Sequence, residues 1–226
     1  MKKIMLLLPL LACHLVTLAQ FDFGIKGGYT LSNIRSFFKP MADAPRVRER
    51  YDVLSTFHAG FTVDIPLSAN WSMHPDLLYS RKGYKGNGIT TLDGGGTVSY
   101  TTRLGYIELP INVLYKLKAG SNKFFAGMGP YLAFGVEGMI KAKTSSGRRI
   151  EEHIKFSKQT DANDVAPHYR PFDAGANFIA GYELHSEWVF SVNYSLGLTN
   201  ITYSDIYTEK NRYLGVSAAY LLRRKK

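Results

Sequence analysis

Hydrophobic and polar residues alternate along most of the chain with a period of two. FDFGIKGGYTLS (21–32) sets Phe, Ile, Tyr and Leu against Asp, Lys, Thr and Ser. That period predicts β-strands with one apolar and one polar face. The pattern recurs over 56–65, 71–85, 103–117, 123–140, 172–184, 188–199 and 212–222, giving eight predicted strands. Between them, short links at 66–70, 118–122 and 185–187 alternate with long ones at 33–55, 86–102, 141–171 and 200–211. Parity supports antiparallel neighbours, because residues paired across a hairpin share a face. A turn about Ser68 would set Thr62 opposite His74, and one about Ser186 would set Asn177 opposite Ser195.

Two architectures carry such a pattern. A soluble lipocalin-like barrel or sandwich turns its apolar face inward. An outer-membrane barrel turns it to lipid, with short turns at one end and long loops at the other. The polar face holds Asp22, Lys26, Asp64, Asp76, Glu108, Lys116, Glu137, Asp173 and Glu183, which suits a lumen better than a solvent-facing coat. Trp71, Trp188, Tyr115, Tyr182 and Tyr220 all fall on the apolar face at the short-turn end of their strands. Rings gathered at one height describe a membrane-interface girdle. The expected fold is therefore all-β, an eight-stranded antiparallel up-and-down transmembrane β-barrel.

The first twenty residues fit export. MKKIMLLLPLLACHLVTLAQ has a basic start, an apolar stretch and a Thr17-Leu18-Ala19 cleavage site. Residues 1–20 read as a signal peptide and 21–226 as the barrel domain of an outer membrane, in a Gram-negative envelope. Cys13, the only cysteine, also sits in a lipobox-like Leu10-Leu11-Ala12-Cys13, so lipidation is the competing reading. The formal charge of +10 falls to +8 without Lys2 and Lys3. Its cations are spread over loops, which favours anionic lipid headgroups or lipopolysaccharide as partners and gives no sign of nucleic acid.

Several phrases carry a family resemblance: FGIKGGYTLSNI, HPDLLYSRKGYK, YIELPINVLYKL, FFAGMGPYLAFGVEG and FDAGANFIAGYEL. Together they resemble the PorT-like outer-membrane β-barrels of Bacteroidetes, also described as porin-like. The resemblance implies an exported barrel in the cell envelope, with a link to secretion through the founding member. It implies no catalytic residues. The chain departs from it in ending Tyr220-Leu221-Leu222 followed by four basic residues, where an aromatic end is usual.

Eight strands enclose a lumen that side chains fill, so the inward acids and lysines are expected to pair as a plug. A narrow conductance pathway is the alternative. Enzymatic chemistry is not expected. His74, Asp76 and Ser80 share one strand face but spread over roughly 20 Å at about 3.4 Å per residue, too far for a hydrogen-bonded triad. His58 reaches Ser80 only from the next strand. His153 and His168, with Glu151, Glu152, Asp161 and Asp164, match no familiar metal spacing, and no cofactor motif occurs. The remaining candidate is a loop surface that mixes Arg35, Arg46, Arg48 and Arg50 with Phe37 and Phe38, and carries Arg148 and Arg149 in the third long loop. Exposed apolar residues among bases suit a lipid, a surface partner or a secretion component.

Overall fold

The computed structural model describes residues 21–39, 47–90, 96–159, 164 and 166–222. Eight long strands form the wall: β1 (Asp22–Phe38), β3 (Asp52–Pro66), β4 (Trp71–Thr90), β5 (Gly96–Ala119), β6 (Asn122–Thr144), β8 (Phe172–Glu183), β9 (Trp188–Gly197) and β10 (Tyr207–Leu222). Two short strands, β2 (Val47–Glu49) and β7 (Arg149–His153), pair with β1 and β6 above the wall. Neighbours run antiparallel in chain order, and β10 pairs with β1 from Phe23↔Leu222 to Phe38↔Tyr207. The sheet therefore closes and leaves no edge within the wall. The signal peptide, Cys13 and Arg46 lie outside the described residues.

The register makes the wall slope. Paired residues followed round the ring from Trp71 run through Tyr115, Ala126, Ala180, Val192, Val216, Tyr29 and Phe57. They return to β4 beside Ser80, the partner of His58. That offset of about ten residues tilts strands by roughly 40° in an eight-stranded barrel. It also brings the girdle to one level. Trp71 packs on Tyr115 with ring centroids 5.0 Å apart, Trp188 on Tyr220 at 5.3 Å, and Phe124 on Tyr182 at 4.5 Å. Above them the outward face stays apolar and exposed, with Phe61 and Met128 each more than 60% accessible. In water that much apolar surface would cost on the order of 25 cal/mol per Å². In lipid it is the favoured face.

The short turns lie at the girdle end. Ala119↔Asn122 closes a two-residue turn with Gly120 at φ 63°, and the next short turn holds Glu187 at φ 73°. The turn between β3 and β4 corrects an expected register. Leu67 and Ser68 both donate their N–H groups to the Trp71 carbonyl, so the chain reverses about Ala69. Thr62 then faces Asp76 instead of His74, with parity preserved. Asn177 pairs with Ser195 as expected.

A β-bulge makes the second correction. Gly105 pairs with Glu137 while Tyr106 pairs with Gly135, so Val136 is an extra residue. One inserted residue moves everything beyond it to the opposite face. Glu137 therefore points out of the barrel, where it is exposed, and it is not part of the lumen.

The lumen is also less polar than alternation suggested. Leu114, Phe125, Ile179, Val189, Ala219 and Leu221 form an apolar cluster inside the girdle end. Glycine makes room for the rings: a Cβ on Gly181 would meet the Phe125 ring at 2.5 Å, and one on Gly175 the Tyr131 ring at 2.6 Å. A second cluster caps the opposite end, built from Ile34, Tyr84, Leu104, Tyr106, Tyr131, Ile154, Tyr169 and Ile201. Ile154, Phe156 and Tyr169 dip into that mouth. Ile154 packs over Gly138, and Phe156 lies against Gly135 with its ring 5.6 Å from Tyr106.

Candidate functional site

Alternation aims every second side chain of each strand at the lumen, and three lysines there organise the acids. Nearest the girdle, Lys116 Nζ lies 2.5 Å from Asp64 Oδ2 and 2.9 Å from Glu183 Oε2, and Lys123 adds a 3.0 Å contact to Glu183. Midway, Lys26 Nζ donates to Asp76 at 2.6 Å. Thr62 donates to the same carboxylate at 2.5 Å, and His74 Nδ1 lies 3.4 Å from it.

The third layer centres on Lys82, which is only 1% exposed and pairs with Glu108 at 2.9 Å and Asp173 at 3.2 Å. Its ammonium also lies 4.3 Å from the Tyr131 ring centroid and 5.1 Å from that of Tyr106. Tyr213 donates to Glu108, while Tyr131, Asn211 and Thr199 donate to Asp173. Paired and hydrogen-bonded in this way, each charge offsets a desolvation cost of several kcal/mol.

Eight of the nine residues expected in the lumen face it or, like the half-buried Asp22, sit at its lower end. Glu137 is the exception. Lys82 was missed, although it stands in phase with Ser80 on the polar face of the same strand. That phase was the signal that could have found it.

The hydrolytic reading finds no geometry. His58 Nε2 lies 2.9 Å from Ser217 Oγ, not on Ser80, and both histidine and serine are buried between the charge layers. Among the described residues no group of three His, Cys, Asp or Glu side chains is placed to hold a metal. His168 and Lys155 instead tie Asp164 into the capping loop at 3.2 and 2.7 Å. The Lys155 contact holds the Asp164 carboxyl below the usual range.

Above the membrane the predicted loop residues separate into two groups. Arg35, Phe37, Phe38 and Arg48 belong to the β1–β2 hairpin, with Arg50 exposed just after it. Arg35 lies over the Phe37 ring at 5.1 Å, and Phe38 stacks on Tyr207 at 5.0 Å. Arg148 and Arg149 occupy the exposed tip of the β6–β7 hairpin, a separate part of the rim.

Beneath the β1–β2 hairpin, Glu209 of β10 and Glu49 of β2 flank Ser36 of β1 across three adjacent strands. Burial pushes the Glu209 carboxyl up to about 7, opposed by a hydrogen bond from Tyr169 and helped by the Glu49 charge.

Comparison with solved structures finds small outer-membrane barrels. The attachment invasion locus protein Ail of Yersinia pestis, solved with the heparin analogue sucrose octasulfate, is similar at 11% identity and a TM-score of 0.36, over 88% of this chain and 99% of that one. Neisserial surface protein A gives 8% identity and a TM-score of 0.42, over 88% and 96%. OprG of Pseudomonas aeruginosa gives 11% and 0.40, over 90% and 96%. No curated protein matches the chain. The family model described as "Outer membrane protein beta-barrel domain" matches residues 18–203. With most of its length matched and its strands closed in a ring, the chain belongs to the outer membrane protein β-barrel domain family.

Proposed function

We propose that this protein is a sealed outer-membrane barrel that works as a binding or structural element through its extracellular surface. The observation that carries this reading is the Lys82–Glu108–Asp173 layer, buried beneath an aromatic cap and above two further ion-pair layers. A diffusing solute would have to break all three layers. Each broken pair leaves an uncompensated buried charge costing about 3–5 kcal/mol.

The outer hairpins, rich in arginine and aromatic side chains, offer the contact surface. The phrases that resemble PorT-like barrels support an association with secretion, and the basic rim supports contact with outer-leaflet lipid or lipopolysaccharide. An exported chain with a cleaved residue 1–20 signal belongs to the same reading. Enzymatic activity does not, because His58, His74 and Ser80 are all buried.

Planar-bilayer recording tests the seal. Purified protein inserted into a bilayer is expected to give no discrete current steps. Reproducible steps that vanish with the protein would replace the sealed barrel with the narrow-conductance alternative.

A further inference from the structure

The closing seam between β10 and β1 brings together cations that are far apart in sequence. Arg35 pairs directly with Lys210, and Asn33 with Arg212, all on the outward face. One strand further, Phe37 pairs with Arg48 of β2. The acids at this height, Glu49 and Glu209, point to the inward side of the same strands: Glu209 is buried, and the inward-facing Ser36 donates to Glu49 at 3.2 Å. Among the described residues, Arg35, Arg48, Lys210 and Arg212 make no ion pair.

Like charges directly opposite each other across two strands disfavour the fold. The other face of the rim neutralises part of its charge. There Arg81 pairs with Glu137 at 3.1 Å and Lys141 with Glu151 at 2.8 Å. Lys143 and Arg149 also face each other across β6 and β7, but beside the paired Lys141 and Glu151; the seam places Arg35, Lys210 and Arg212 together with no ion pair among the described residues.

The cations also share a height. On β10 the outward residues from the girdle upward are Tyr220, Ala218, Val216 and Leu214, followed by Arg212 and Lys210. On β1 they are Ile25, Gly27, Tyr29 and Leu31, followed by Asn33 and Arg35. Arg212 and Lys210 stand eight and ten residues above Tyr220. At about 3.4 Å per residue and a tilt near 40°, that is roughly 21–26 Å, the upper edge of an apolar band about 25 Å tall. Exposed Tyr29, Leu31, Leu214 and Val216 continue the patch downward into the acyl-chain region.

We propose that the β10–β1 seam is a binding site for a phosphorylated outer-leaflet lipid. Its phosphate would lie between Arg35, Lys210 and Arg212, with Arg48 above, and its acyl chains along the apolar faces of β1 and β10. Phosphate fits because arginine offers a planar pair of donors to it and lysine a point charge. A soluble anion would match the charges alone, whereas a lipid also uses the apolar strip below them. The inference rests on the reading that the protein works through its outer surface.

The test is native mass spectrometry of the detergent-solubilised full barrel titrated with diphosphorylated lipid A or with the same lipid stripped of both phosphates. The variant Arg35→Gln/Lys210→Gln/Arg212→Gln is compared with Arg81→Gln/Arg103→Gln/Lys141→Gln on the opposite face. Heat-dependent migration on an SDS gel checks that each variant still closes. Three cations near an anionic surface contribute roughly a hundredfold together. The seam variant is expected to lose about that much affinity for lipid A, the opposite-face variant no more than a few-fold, and Arg35→Lys/Arg212→Lys to retain most of it.

Equal binding by the seam variant and the wild type overturns the site. So does equal wild-type affinity for the dephosphorylated lipid, or displacement of lipid A by a soluble sulfated polysaccharide at far lower concentration. The two readings fail separately. A conducting barrel whose seam variant still loses lipid A removes the seal and keeps the site, whereas a silent barrel with unchanged lipid binding does the reverse.

Discussion

Inside the barrel every described lysine has acids around it; on the seam no cation does. Lys116, Lys26 and Lys82 meet carboxylates at 2.5 to 3.2 Å within the wall, while Arg35 and Lys210 face each other across β1 and β10 with none. The difference follows from the solvent at each place. The narrow lumen cannot hydrate a charge, so the protein must neutralise it itself. At the membrane edge, water and lipid headgroups do that task, so an unpaired cation costs little and remains available to a ligand. Pairing therefore marks structure here, and its absence marks a working surface.

The largest effect is expected from unpairing the interior. Lys82→Met leaves Glu108 and Asp173 without their counter-ion in a buried layer. The expected loss is about 3–5 kcal/mol, read as a lower urea midpoint for the folded barrel. Retention of wild-type stability would mean that the aromatic cap alone holds the lumen together. Adding Glu108→Gln and Asp173→Asn to Lys82→Met should recover most of the loss.

Next in size is the pH dependence of the aromatic cap. Burial, helped by the nearby Glu49 charge and opposed by a hydrogen bond from Tyr169, pushes the folded Glu209 carboxyl up to about 7 against an ordinary value of 4.5. Its proton is thus held more tightly in the folded state. Stability is fully present below about 4.5 and falls as pH rises to about 7, by up to about 3 kcal/mol. Unfolding midpoints at pH 5 and pH 8 should show that fall, and Glu209→Gln should flatten it. A variant with the wild-type slope would place the titration on another group.

Smaller effects come from the surface. Trp188→Ala removes a girdle ring stacked on Phe190 and edge-on to Tyr220 and should cost about 1–2 kcal/mol in bilayers. Arg81→Gln breaks an exposed pair and should change stability by less than about 1 kcal/mol. Arg35→Glu should do the opposite, adding a few tenths of a kcal/mol by facing Lys210 with an acid. A clear destabilisation by Arg35→Glu would show that the seam cations already have a partner.

The fold was largely legible because alternation is a local signal. The periods at 21–32, 172–184 and 188–199 fall on β1, β8 and β9, and the short links fall at one end. Parity survived even where the β3–β4 register slid by two, since an even slip keeps each face. It failed at Val136, where one inserted residue turned Glu137 outward; no composition or spacing around Gly135 marks that bulge. Lys82 was overlooked within the run RKGYK, whose charges hide the alternation. The seam could not be read at all. Arg35 and Lys210 become neighbours only when the last strand closes on the first, a contact that belongs to the ring as a whole. The same holds for the apolar clusters in the lumen, which gather Phe125, Ile179 and Leu221 from three strands.

The most direct measurement is lysine footprinting of the folded barrel with an amine-acylating reagent, read by peptide mass spectrometry with and without diphosphorylated lipid A. Lys26 and Lys82 are expected to stay unmodified until the barrel is unfolded. Lys210 is expected to react readily in detergent and to be protected when the lipid is added. Acylation of Lys82 at the rate of Lys210 in the folded protein would contradict the division between a self-neutralised interior and a rim left open to its surroundings.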